Sequence, residues 1–342
     1  MALTLPDSYN ELLGNSILID NLDPLEFGKG EENTFVGSFR RLLQSTGNDI
    51  PYWYLMGICG AAFRLQIHRN SWRMNSPDLI CGFALSPYLF HSYGLEYEQI
   101  WVCGDRERMT YAHHRLAESL KNNMPVIGLG MDGKNYHGIV IGLRPGGTLL
   151  ALDYSIPGYP HAVVQKMVWC YHVVTGTLRQ MDEQEQLRQA FSLALKLVTE
   201  KRVKSFHQGL DAYQYWYDTL VNPQHHNPYD DDWRSKEKND GNYWILLSLL
   251  DARLAAARFC RECAESHADL AEPLTALADT YDEILELLQP FITKHIVRPD
   301  NKISRAWPWT LHQRRKQAKT LKEVKRLEEE TIPHLETLIK AL

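Results

Sequence analysis

Hydrophobic periodicity changes character near Asp182, and that change constrains the fold more than any other feature. Before it, short β-rich runs are interleaved with amphipathic stretches. After it, the strand signal nearly vanishes and apolar residues recur at the spacing of helices. With 342 residues, 44% of them hydrophobic, the chain has material for two packed cores. The reading is α+β: helices packed on an antiparallel sheet over residues 1–180, then an all-helical bundle over residues 181–342.

In the first part, Asn15 to Phe27 alternates Ile17, Ile19 and Leu22 like a short strand or arm. A helix is expected from Thr34 or Phe35 to Ser45, because Phe35, Phe39, Leu42 and Leu43 share one face and Gly47 and Pro51 follow. A second helix is expected to begin between Gly57 and Gly60 and to carry Ala61, Ala62, Phe63 and Leu65. Ile100 to Cys103 reads as a strand ended by Gly104 and Asp105, ahead of a helix marked by Met109, Ala112, Leu116 and Leu120. Pro125 to Leu129, Gly138 to Leu143, and Leu149 to Tyr154 read as strands. The Gly-rich turn Arg144 to Thr148 joins the last two as a hairpin, and Met167 to Val174 adds a further β-rich run.

In the second part, helices are expected over 183–200, 208–220, 243–264, 270–292 and 311–342. A polar loop, Asn222 to Asn239, and a link, Val297 to Pro308, separate some of them. The helix from Tyr243 is apolar around much of its circumference, which suits the centre of a bundle. The last helix has a basic stretch, Lys316 to Lys325, an acidic one, Glu328 to Glu330, and an apolar seam of Leu321, Val324, Leu327, Leu335 and Leu338. Its charged face reads as solvated, and Pro333 as a place to kink. Bundles of this kind pair with partners or with themselves, so a homodimer through the helical half is a working expectation.

Composition excludes several classes. The formal net charge of -5, from 42 acidic against 37 basic residues, disfavours general nucleic-acid binding. Met1 to Ser8 shows neither a basic region nor an apolar core of a signal peptide. The longest apolar run, Tyr243 to Leu250, is far short of the roughly 20 residues of a membrane span. The even count of six cysteines can suggest disulfides, but a chain this large and core-rich does not need such staples, so reduced cytoplasm is the expected compartment.

Two places carry residues fit for chemistry. His137 opens the strand Gly138 to Leu143 and Asp153 ends its expected partner. If those strands pair, the carboxylate can hold the imidazole as a general base; otherwise both are ordinary strand-end polar residues. Cys59 lies among small residues in Leu55 to Phe63, where a helix is expected to start. There the helix dipole would lower a thiol pKa, and Gly60 and Ala61 would admit a substrate carbonyl to backbone N–H groups. A small buried cysteine beside a glycine packing point is the alternative. Arg64 can hold an anionic substrate group or form a structural salt bridge.

The run Pro125-Val-Ile127, His137-Gly-Ile-Val-Ile-Gly142, the Gly-rich turn and Leu150-Ala-Leu-Asp153 resembles the second half of a papain-like cysteine peptidase fold. It is similar to the bacteriocin-leader peptidases and, more closely, to the N-terminal domain of butirosin-biosynthesis protein H. That group also carries a Gly-rich segment like Met56-Gly-Ile-Cys-Gly-Ala-Ala-Phe63. The resemblance covers roughly residues 30 to 175. It implies a papain-like first half and acyl-transfer or amide-hydrolysis chemistry. In those families the nucleophilic cysteine opens the helix before the Gly-rich segment, where this chain has Asn33 or Thr34. A threonine hydroxyl is a far weaker acid than a thiol.

The remaining features weigh less. Cys260 and Cys263 read as helix or core thiols rather than a metal or redox pair, since no further ligands have zinc spacing. His113-His114 and His225-His226 read as surface pairs, and Asp230 to Asp232 as a hydrated turn. Trp72, Asn75 and Asp78 can line a pocket mouth. Tyr213, Trp216 and Tyr217 form an aromatic stripe suited to a core or to covering a cleft.

Two principal functions fit. One is a thiol acyltransferase or amide hydrolase acting on a small, peptide-like or carrier-bound acyl substrate. Cys59 would attack, His137 would move the proton, Asp153 would orient His137, and Asn33, Thr34, Gly60 and Arg64 would bind substrate. The other is a binding or scaffold protein that keeps the fold without the nucleophile. A partner-recruiting helical module is a third reading. None calls for a cofactor, a metal, nucleic acid or a membrane.

Overall fold

Asn33 starts the first helix, α1 (Thr34–Ser45): its side chain accepts from Val36 N, filling a donor that the first turn leaves open. Phe35, Val36, Phe39, Leu42 and Leu43 are buried along the face that the spacing predicts. A computed structural model of the chain describes residues 16–72, 78–154, 161–164, 168–222, 233–292 and 311–342. Asn75, the His225-His226 pair, Asp230 to Asp232 and the link Val297 to Pro308 lie outside the described residues.

The described residues fall into two compact units. One comprises those of 1–55 and 90–181, the other those of 56–89 and 182–342. The chain changes unit within helix α2 (Tyr52–Ile58), again within α3 (Ser86–Ser92), and a third time after Met181. The segment 56–89, read from sequence as part of the first half, clusters with the helices after Met181.

The first unit is built on an antiparallel sheet. Its strands are β1 (Ile17–Leu18), β3 (Leu95–Trp101), β4 (Val126–Leu129), β5 (His137–Arg144), β6 (Thr148–Leu152), β7 (Ala162–Val163) and β8 (Cys170–Thr177). Their order is β3-β8-β4-β5-β6-β7, with β1 pairing on β5 at Ile17↔Leu143. The hairpin between β5 and β6 turns where expected, with Gly146 and Gly147 both at positive φ, which suits glycine. Every residue of β4, and of β5 up to Leu143, is buried. Both faces are covered: α1 packs on β4 and β5, and α4 (Arg106–Lys121) packs on β8 and β5. On β8 the ring of His172 meets Phe35 of α1, while that of the next residue back, Tyr171, meets His113 of α4. Strand alternation therefore sends α1 and α4 to opposite faces. The expected strand at Ile100 to Cys103 is longer and earlier, running from Leu95.

The second unit contains α5 (Glu183–Thr199), opened by a reciprocal capping box of Asp182 and Glu185, then α6 (Gly209–Val221), α7 (Trp233–Ser266), α8 (Ala271–Ile292) and α9 (Leu311–Ala341). It is helical but not all-α. Strands β2 (Gln66–His68), β9 (Arg202–Val203) and β10 (Phe206–Gln208) form a small antiparallel sheet. Helix α7 begins ten residues before the expected Tyr243, at Trp233, because Arg234, Lys236, Glu237 and Lys238 are good helix formers that a search for apolar periodicity passes over. Helix α9 runs through Pro333. Its apolar seam of Leu321, Val324, Leu327, Leu335 and Leu338 is buried inside the unit.

Candidate functional site

The first turn of α1 meets the first residue of β5. The backbone N–H of His137 donates to Thr34 Oγ1 at 3.0 Å, although 103 residues separate them. Asn33, one residue earlier, caps the helix, and its own N–H donates to Tyr52 Oη at 2.8 Å. The Ser38 hydroxyl donates to Thr34 O at 2.8 Å, holding the first turn closed. Sequence reading singled out Thr34, Asn33 and His137, and the fold brings all three to one place.

The His137 side chain is 1% exposed, and burial pushes its pKa down to about 3. Asp153 follows β6 directly and is buried; the β5–β6 ladder reaches Ile139↔Leu152, so the predicted strand pairing is present. An imidazole with so low a pKa is a weak proton acceptor at neutral pH.

Cys59 corrects the expected local structure. It follows the C-terminal end of α2 rather than opening a helix; only a one-turn 3₁₀ segment, Ala61–Phe63, comes after it. The thiol is fully buried, burial pushes its pKa up to about 12, and Sγ donates to Met56 O at 3.7 Å. The residue belongs to the second unit, whereas His137 and Asp153 belong to the first. The glycines around it serve packing. A Cβ on Gly57 would lie 2.4 Å from the Phe259 ring, and Gly60 turns the chain at φ +79° against Leu193 and Leu197. A backbone so enclosed offers a substrate carbonyl no approach, which corrects the oxyanion-hole expectation at Gly60.

Arg64 is likewise interior. Its guanidinium donates to Phe83 O at 3.2 Å and to Asp78 O at 2.8 Å, clamping the loop that follows β2. Burial lowers its pKa to about 10 and raises that of Asp78 to about 6. Two members of the aromatic stripe are core: Tyr213 and Trp216 are buried, with their polar ends on Glu328 and Asn242, whereas Tyr217 is half-buried beneath Lys322. Cys260 and Cys263 are buried free thiols in α7. Among the described residues, no group of three or more His, Cys, Asp or Glu side chains could hold a metal ion.

Sequence reading passed over His172. It is fully buried on β8, with its ring centroid 5.9 Å from that of His137 and 5.2 Å from that of Phe35. The signal was present in Cys170-Tyr-His172-Val-Val174, where alternation sets His172 on the face of its apolar neighbours two residues away.

No protein-family model matches this chain, and no curated protein matches it. No helix among the described residues is long and apolar enough to cross a membrane.

Proposed function

We propose that the first unit is a papain-like domain that binds a small acyl or peptide-like ligand without forming a covalent intermediate. The observation that carries this reading is the contact between Thr34 Oγ1 and the His137 N–H. The resemblance expects a thiol at the start of this helix, facing the histidine strand. Here a hydroxyl stands there, and what it meets is the backbone N–H of His137, a donor that cannot take its proton. The alternative, acyl transfer through Cys59, requires a thiolate from a group that burial holds at about 12. Since all six cysteines are free, the reading also favours a reducing compartment such as the cytoplasm.

The test is intact-mass analysis after incubation with activated acyl thioesters and p-nitrophenyl esters. The expected result is no acyl adduct and no hydrolysis above background, with unchanged ligand binding in Cys59→Ser. An adduct on Cys59 or Thr34 would remove the proposal.

A further inference from the structure

His137 and His172 sit in a box of aromatic rings on the α1 face of the sheet. Phe35 of α1 stands edge-on to both, with centroids 4.9 Å from His137 and 5.2 Å from His172. Phe90 of α3 and Tyr97 of β3 stack on His172 at 6.5 and 6.0 Å. Neither ring nitrogen of His172 has a hydrogen-bond partner among the described residues. A buried imidazole without an acceptor can be held only in its neutral form, since its charged form would have two N–H donors to satisfy.

Among the described residues, the groups that face His172 supply no counter-charge. From α1 the facing groups are Phe35 and the Thr34 hydroxyl, and the cations Arg40 and Arg41 further along pair with Glu31. From α3 it is Phe90; from β3 it is Tyr97 and, opposite in register, Gln99; from β4 it is Ile127. On β8 the buried thiol of Cys170 stands two residues from His172. The charge that acts on His172 is that of His137, which disfavours a second proton. Attraction to the ring faces offsets only part of the desolvation of an imidazolium.

We infer that this imidazole pair makes the docking of α1 on β4 and β5 acid-sensitive, so that a proton on either ring detaches the helix from the sheet. The inference does not depend on the papain-like reading. Both rings bind protons more weakly in the closed form than when exposed, because burial lowers both pKa values. Closure is therefore fully supported above pH 6.5, the ordinary histidine value, and is lost progressively as pH falls below it. Each ring that gains a proton on opening shifts the open-to-closed ratio up to about tenfold per pH unit, and the pair up to about a hundredfold.

Native-state hydrogen exchange of the His137 amide, which donates to Thr34, reads this equilibrium in the full chain. Its protection factor is expected to fall between pH 6.5 and 5 with a slope above one proton. In His172→Phe, which keeps the aromatic packing, the slope should drop by about one proton, with protection at pH 7 equal or higher. A flat protection factor, or an unchanged slope in the variant, would overturn the inference. If the variant does not fold, the imidazole Cε1–H resonances of the wild-type protein decide. Neither should titrate in the closed form above pH 5, and a His172 resonance titrating near 6.5 would overturn it equally.

Discussion

Arg253 and Glu328 form an ion pair in which each side chain is 1% exposed, with Nε and Oε1 2.5 Å apart. The same carboxylate oxygen accepts from Tyr213 Oη at 2.8 Å, and Arg253 Nη1 donates to Ala62 O at 2.8 Å. One charge pair thus joins α6, α7 and α9 to the 3₁₀ turn after Cys59. Removing one partner from a buried pair typically costs about 3–5 kcal/mol, because the other charge is left uncompensated. Glu328→Leu is expected to destabilise the protein by that amount in urea denaturation. The double variant Arg253→Met with Glu328→Leu should recover much of the loss, short of about 1–3 kcal/mol for the Ala62 carbonyl left without its donor.

Gly57 is a packing residue. Gly57→Ala should destabilise by about 1–3 kcal/mol through overpacking against Phe259, and Phe259→Leu should relieve part of that cost when combined with it. Additive losses in the double variant, measured by thermal and urea unfolding, would show that the two sites do not touch.

Thiol reactivity separates the cysteines. Cys103 is exposed, whereas burial holds Cys59 and Cys81 at about 12. Iodoacetamide at neutral pH is expected to label Cys103 first and to leave Cys59 unmodified until the protein unfolds, as read by peptide mass mapping. Early labelling of Cys59 would show that its environment opens.

Thr34→Val keeps the shape of the first turn of α1 and removes the acceptor of the His137 N–H. A buried donor left unsatisfied costs about 1–3 kcal/mol. The variant should lose stability in that range and lose exchange protection at the His137 amide, while Thr34→Ser should retain both.

Local patterns carried much of the fold. The α1 helix was legible because Phe35, Phe39, Leu42 and Leu43 repeat at helical spacing within one short segment. The β5–β6 hairpin was legible because its turn carries two adjacent glycines and its strands are continuously apolar. The segment Met56 to Phe63 was misread for the opposite reason. Its glycines answer to Phe259, Leu193 and Leu197, more than 100 residues away, so they looked like a helix start with an open backbone. The strands β9 and β10 have only two and three residues, too few for any period to show. At the candidate site, the residues near the α1–β5 contact were named from sequence. His172 was not, because the burial of a histidine depends on which helix covers its strand. Arg253 and Glu328 were missed similarly: each is one charged position on an otherwise apolar helix face.

Residues 56–89 belong to the unit completed only by residues 182–342, and this has a consequence for synthesis. When they leave the ribosome, the helix that carries Phe259 does not yet exist, and Ala61 to Phe63 have no partner surface to fold against. The intervening sheet must be translated first, with this hydrophobic strip held aside as a loose end on a nascent chain. Chaperone occupancy on ribosome-bound intermediates should therefore peak between the appearance of Phe63 and that of α7. For the same reason, cutting the gene at a single point near codon 181 would yield two polypeptides, each lacking or misplacing that strip.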